Sequence, residues 1–312
     1  MKLKLTVKCR SIPQSEYLDK LIVSNNYQIN NISFEGLVCN DFNIPKQNDF
    51  PIAPIEAYGI KGINPGSFIY NATPCFFSLQ RDYFKFEKNL EFECSQENLK
   101  ELCNELNVNF SDNRSYFFIR NCKLFFLTQK NNNISTYFPE EINQVIERKF
   151  LPFGDDKLWW HSFINEIQMF LHSSKINEIR EAAFKLPINT IWFSGGGEVV
   201  RNIESGNYFS SYSNMKLIKN ISLIQSNYYF FDILEGVNFD GNITNIYYDL
   251  GDHMQTDNLF NSIYDGFMSG KLNKINMNLC FGFITVNLNI NKFSKFKFWR
   301  PKLTIQDILN GI

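Results

Sequence analysis

Two groups of residues have the types and spacing for chemistry. In the first, Asn177 and Arg180 stand three apart and are followed by Pro187, Asn189, Trp192 and the run Gly195-Gly196-Gly197. A guanidinium is a planar fork that binds phosphate or carboxylate bidentately, and consecutive glycines after a strand let backbone N–H groups approach oxygens closely. Three residues apart on a helical turn, Asn177 and Arg180 project toward one point, so the group describes an anion-accepting pocket. The glycines have neither the G-K-[ST] of a phosphate loop nor the G-x-G-x-x-G spacing of a dinucleotide site, so they equally describe a turn. Arg180 equally suits a salt bridge.

The second group is Asp249, Asp252, His253 and Asp257, just after a strand expected over Asn245 to Tyr248. That is where α/β proteins place ligands, and the group has the donors for one divalent ion. Aspartates there also cap the next helix, a role that suits Asp257. Two further patterns are weaker. His161, Asn165, Gln168 and His172 fall on one polar stripe of a helix, which faces either a ligand or solvent. The run from Lys292 to Lys302 interleaves cations with aromatics, as single-strand nucleic-acid sites do, but its period also fits a final half-buried strand. No nucleophile elbow, P-loop or metalloprotease helix is present.

Composition narrows the setting. Net charge is -1, so nothing draws the whole chain to nucleic acid or to an anionic membrane. Lysines interrupt the first residues where a signal peptide needs an apolar run, and no stretch reaches a membrane span; the expected location is the cytoplasm. The seven cysteines show no C-x-x-C pair and are expected to be reduced.

The elements that must position these groups are legible in places. Leu3 to Val7 alternates as a strand, and Ser15 to Val23 suits a helix. Short strands are expected from Phe68 to Phe86, and a helix capped by Ser95 carries Leu99, Leu102, Cys103 and Leu106 on one face. Tyr116 to Ile119 and Leu124 to Leu127 form a hairpin, and a helix is expected after Pro139. The strongest helix follows Gly154-Asp155-Asp156, where an aspartate can cap, with Trp160, Phe163, Ile164, Ile167, Phe170 and Leu171 at offsets of three and four. Ile188 to Phe193 enters the glycines as a strand. Asn245 to Tyr248 precedes a helix through Leu259, Ile263 and Phe267, and the parity of apolar residues switches at Gly282. The resulting reading is α/β, mixed α+β in its N-terminal half. It divides into a strand-rich half, residues 1–153, and an α/β half, 154–312, although one mixed domain with an inserted subdomain fits as well.

The stretch Asn165-Glu166-Ile167-Gln168-Met169-Phe170-Leu171-His172, followed by Asn177, Arg180, Asn189, Trp192 and the three glycines, resembles the signature of a bacterial family of RpfE-type regulatory proteins, often named phosphoglycerate mutases. The shorter N-x-x-R … P-x-N-x-x-W-x-x-G-x-G part is similar to the archaeal type of cofactor-independent phosphoglycerate mutase. The resemblance implies an alkaline-phosphatase-like core, here a remnant with a smaller strand-rich subdomain. It also implies that His172, Asn177, Arg180, Asn189, Trp192 and Gly195 to Gly197 face an anionic ligand. Catalysis in that superfamily needs a hydroxyl nucleophile and two metals held by Asp and His. The D-G and D-x-x-G-H elements have no match, and only three histidines exist. The expectation is a non-catalytic regulatory relative, a pseudoenzyme without cofactor, that binds a small phosphorylated metabolite or a protein partner. An active metal-dependent phosphomutase or phosphatase built on the Asp249 group, and a nucleic-acid-associated accessory protein, are the alternatives.

Overall fold

The chain's apolar alternation and helical stripes close into two compact units, one formed by Met1–Asn43 with Ile203–Ile312 and the other by Ile44–Asn202. The computed structural model describes residues 1–22, 27–60, 63–64, 66–80, 84–86, 96–130, 132–142, 145–199, 209–225, 228–232, 243–251, 256–293 and 303–311. The first 43 residues supply β1 (Lys2–Lys8), α1 (Glu16–Ile22), β2 (Tyr27–Asn31) and α2 (Phe34–Asp41). The second unit follows with α3 (Ile52–Glu56), β3 (Phe68–Cys75), β4 (Phe77–Leu79), β5 (Phe84–Phe86), α4 (Gln96–Phe110), β6 (Ser115–Arg120) and β7 (Lys123–Thr128). It continues with β8 (Ile134–Ser135), β9 (Val145–Ile146), β10 (Phe153–Gly154), α5 (Lys157–Leu171), α6 (Lys175–Ala182) and β11 (Thr190–Glu198). The chain then returns to the first unit with β12 (Phe209–Ser213), α7 (Lys216–Ile224), β13 (Tyr228–Asp232), β14 (Ile243–Asp249), α8 (Thr256–Met268), β15 (Lys274–Phe281), β16 (Ile284–Asn291) and α9 (Ile305–Asn310).

The first unit is an α/β layer structure. Its seven-stranded sheet has the order β13-β12-β14-β1-β15-β16-β2. The strands from β13 to β15 run parallel, and β16 and β2 are antiparallel additions. Period two puts Leu3, Leu5 and Val7 of β1 on one face, where they join Ile246, Met277, Leu279 and buried residues of α1, α8 and α9 in one core. Lys4, Thr6 and Lys8 point the other way, toward the side where Lys4 pairs with Asp41 and Lys8 with Glu35 of α2.

The second unit carries a four-stranded antiparallel sheet, β11-β3-β7-β6. α5 lays Trp160, Phe163, Ile167 and Leu171 into its core beside Phe117, Phe126 and Phe193, as the helical spacing predicts. The β6–β7 hairpin turns through Asn121 and Cys122, both at positive φ (49° and 60°), the backbone of a two-residue primed turn. β15 and β16 form a second hairpin at Gly282, which accounts for the parity switch there.

Several expectations are corrected. The boundary at 153/154 falls inside the second unit, because β1 pairs with β14 and β15 far along the chain and encloses residues 44–202 as an insertion. The segment after Pro139 makes only the three-residue 3-10 turn Pro139–Glu141, in which Glu141 Oε2 accepts from Phe138 N–H at 2.7 Å. Asp156 makes no side-chain cap on α5; its Oδ2 accepts from Asn133 N–H at 2.8 Å. Ser95 and residues 294–302 of the C-terminal run lie outside the described residues.

Candidate functional site

The glycine run is not a turn after a strand. Gly195, Gly196 and Gly197 are buried inside β11, where a bulge between Ser194 and Gly197 breaks the pairing with β3. A Cβ at Gly196 would come within 2.0 Å of the Tyr70 ring, and one at Gly197 within 2.6 Å of Pro51. The absent side chains are therefore filled by protein, and the run is a packing device. An anion does face it, but the chain supplies that anion. Asp49, only 7% exposed, accepts from Thr136 N–H at 3.0 Å, from the Thr136 hydroxyl and from Gly196 N–H. Burial pushes this carboxyl up to about 6, against the lowering effect of those hydrogen bonds and of Lys46. Gln47 Oε1 accepts from Glu198 N–H at 2.8 Å on the same strand.

The other signature residues also serve the main chain. Asn177 is buried, donating to Leu171 O and Ile188 O and accepting from Ile188 N–H, each at 2.7 Å. It ties the end of α5 to the entry of β11. Asn189 exchanges two 2.8 Å hydrogen bonds with the backbone of Phe77, as a strand residue would. Trp192 Nε1 donates to Tyr137 O at 2.7 Å. Arg180 is 3% exposed and donates through Nε to Leu186 O at 2.8 Å. The atoms nearest to the Cβ positions of the three glycines come from Phe138, Ile52, Tyr70, Pro51 and Gln47, and none from Asn177 or Arg180. The polar stripe of α5 divides. His161 Nε2 lies 2.8 Å from Pro152 O and Gln168 donates to Thr190 Oγ1 at 3.1 Å, whereas Asn165 and His172 are exposed.

A different set of residues gathers at the carboxyl ends of parallel strands in the first unit. Lys8, Cys9 and Arg10 close β1, Ser213 and Asn214 close β12, and Asp249 to Gly251 close β14. Lys8 Nζ donates to Glu35 Oε1 at 2.8 Å, and Arg10 Nη2 lies 3.5 Å from Asp249 Oδ2. Asn214 donates to Asp249 O at 2.8 Å and accepts from Asp249 N–H at 3.0 Å, so it spans the gap between β12 and β14. Asp249 Oδ1 accepts from Gly251 N–H, which follows at φ 53°. That gap is also where the connections diverge. α8, leaving β14, packs in the apolar core, whereas Gln225 after α7 donates to Phe42 O at the end of α2 on the opposite face. Strands whose exits leave on opposite faces open a crevice at their carboxyl ends. Two cysteines sit beside it, and burial pushes the Cys280 thiol up to about 12 and that of Cys9 well above its ordinary range, so both are thiols and not nucleophiles at neutral pH.

Of the second sequence group, Asp249 is thus placed, while Asp252, His253 and the side chain of Asp257 lie outside what is described. Among the described residues no set of His, Cys, Asp and Glu is arranged to hold a metal ion, and no helix is long and apolar enough to cross a membrane. Lys8, Arg10, Glu35 and Asn214 belong to neither of the two sequence groups. The available signal was charge immediately after an alternating apolar strand, at Lys8-Cys9-Arg10.

No family model matches the chain, and no curated protein matches it. Among solved structures it is similar to the cofactor-independent phosphoglycerate mutase from Thermoplasma acidophilum DSM 1728, at 12% identity and a TM-score of 0.38 over 93% of this chain and 89% of that one. It is also similar to the PH0037 protein from Pyrococcus horikoshii, at 10% identity and a TM-score of 0.40 over 93% and 87% of the two chains.

Proposed function

We propose that this protein is a non-catalytic, regulatory relative of the cofactor-independent phosphoglycerate mutases that binds a small phosphate- or carboxylate-bearing metabolite at the β1/β12/β14 strand ends. The observation that carries the reading is the pair of cations closing β1, Lys8 and Arg10, each aligned by a carboxylate beside the crevice. Arg10 offers a fork and Lys8 a point charge; Lys8 is the last residue of β1 and Arg10 stands two residues beyond it. The protonated thiols nearby add no nucleophile. The regulatory part of the reading rests on the sequence, which lacks the superfamily's D-G and D-x-x-G-H elements.

The test is isothermal titration of the full chain with 2- and 3-phosphoglycerate and with inorganic phosphate, alongside a mutase assay with manganese supplied. Saturable binding without turnover is expected. Arg10→Ala should weaken binding by about tenfold, which corresponds to roughly 1.4 kcal/mol. Unchanged affinity in that variant would remove the site, and sustained interconversion of the two phosphoglycerates would remove the non-catalytic reading.

A further inference from the structure

Three rows of side chains cross the sheet of the first unit and stop, incomplete, at β2. On the apolar face Met277, Leu288 and Tyr27 are successive cross-strand neighbours, as are Leu279, Val286 and Ile29. The first two members of each row are 0% exposed, whereas Tyr27 and Ile29 are each 40% exposed. On the other face Thr6 Oγ1 accepts from Asn278 Nδ2 at 3.3 Å, and Asn278 Oδ1 accepts from Asn287 Nδ2 at 2.6 Å. The next position in that amide row is Gln28. Among the described residues β2 pairs only with β16, and all five of its side chains are exposed. Edge strands are ordinarily blunted by lysine, proline or a bulge, because an open row of N–H and C=O groups templates another strand. Tyr27-Gln28-Ile29-Asn30-Asn31 has no charge and no proline.

We propose that β2 is a dimerisation edge that pairs antiparallel with β2 of a second copy of this chain, about a two-fold axis at Ile29. A two-fold contact uses the same surface on both subunits. Centred on Ile29, it sets Ile29 against itself, Gln28 against Asn30 and Tyr27 against Asn31. The apolar face then meets its like through Ile29, and the amide row continues through the Gln28–Asn30 pair, the cross-strand pairings that stabilise sheets. The absence of charge on β2 matters for the choice of occupant, because a charged residue would meet its like, or nearly so, across the axis. β13, at the opposite edge, carries Asp232.

The test is light scattering coupled to size exclusion on the full chain across the micromolar range. A dimer is expected. Ile29→Lys and Ile29→Asp should each run as monomers with unchanged circular dichroism, and an equimolar mixture of the two should recover the dimer, because opposite charges meet only if residue 29 lies on the axis. A monomeric parent, a dimer that survives both substitutions, or a mixture of folded variants that stays monomeric would each overturn the proposal. Should a charged variant fail to fold, Ile29→Cys in a Cys122→Ser background replaces it. Mild oxidation should cross-link that protein between copies more than its parent, and equal cross-linking would overturn the proposal.

Discussion

The strand-end crevice of the first unit and the glycine bulge of the second differ in the partners of their charged side chains. Around β11, Asn177, Asn189 and Trp192 direct their polar groups at main-chain atoms, and at the bulge Asp49 meets backbone N–H groups as well as a hydroxyl. At the crevice, Lys8 and Arg10 meet carboxylates, and Arg10 and Asp249 remain 31% and 23% exposed. A polar side chain whose partners are fixed peptide groups replaces a hydrogen bond of the fold, and a ligand could compete for it only by unfolding something. The Arg10–Asp249 pair, at a partly open edge, can exchange a partner for a ligand oxygen at modest cost, since exposed pairs contribute only about 0–1 kcal/mol. Lys8 and Glu35, 16% and 8% exposed, hold each other more firmly.

The comparison is tested most severely at Asn177. Asn177→Ala deletes three hydrogen bonds and leaves Leu171 O, Ile188 O and Ile188 N–H without that partner in a buried setting. Chemical denaturation should show a loss of about 3–5 kcal/mol, while the folded variant binds phosphoglycerate as the parent does. A stable variant with lost binding would return the site to the second unit.

The packing role of this segment is not written in its sequence, for a physical reason. Glycine signals a backbone need without saying whether the need is a turn, a ligand or, as at Gly196, the ring of a tyrosine more than a hundred residues earlier in the chain. Elements with strong local periods were legible, including β1, α5 and the β6–β7 hairpin, because 2.0 and 3.6 repeats are written in adjacent residues. The division into units was not, since it depends on Lys2 pairing with Ile243 and Lys274, and register over that distance leaves no local trace. Asp49 carries no signal in the sequence, because it stands in a Pro-punctuated segment with no period and nothing beside it marks burial.

A middle-sized effect separates the internal anion from an external one. Burial raises the Asp49 carboxyl from its ordinary 3.8 to about 6, so between those values the folded state holds a proton that the unfolded state has released. Stability from this group must therefore rise as pH falls from about 6 toward 4, by about 1 kcal/mol per pH unit, and stay level outside that window. Lys46, Tyr70 and Thr136 face Asp49, and none of them titrates between those values in the ordinary way. In paired melts, the advantage of the parent over Asp49→Asn should grow on acidification. A constant difference across pH 4 to 7 would mean that the carboxylate is solvated, and the bulge would then be open to an outside anion after all.

The smallest effect belongs to His172, which the sequence placed among the ligand-binding residues. It is exposed just past α5, and its N–H closes the helix on Gln168 O at 3.2 Å, a bond that any residue but proline makes. On the same stripe, Gln168 donates from its side chain to Thr190 Oγ1 at the start of β11. If fixed partners mark a structural role, Gln168→Ala should cost about 1 kcal/mol and His172→Ala less than about 0.5 kcal/mol, with phosphoglycerate affinity unchanged in both. Titration of the two variants decides between regions because α5 belongs wholly to the second unit. A drop in affinity confined to His172→Ala would show that an exposed imidazole, rather than the paired cations of β1, meets the ligand, and the contrast between a self-satisfied bulge and an available crevice would be reversed.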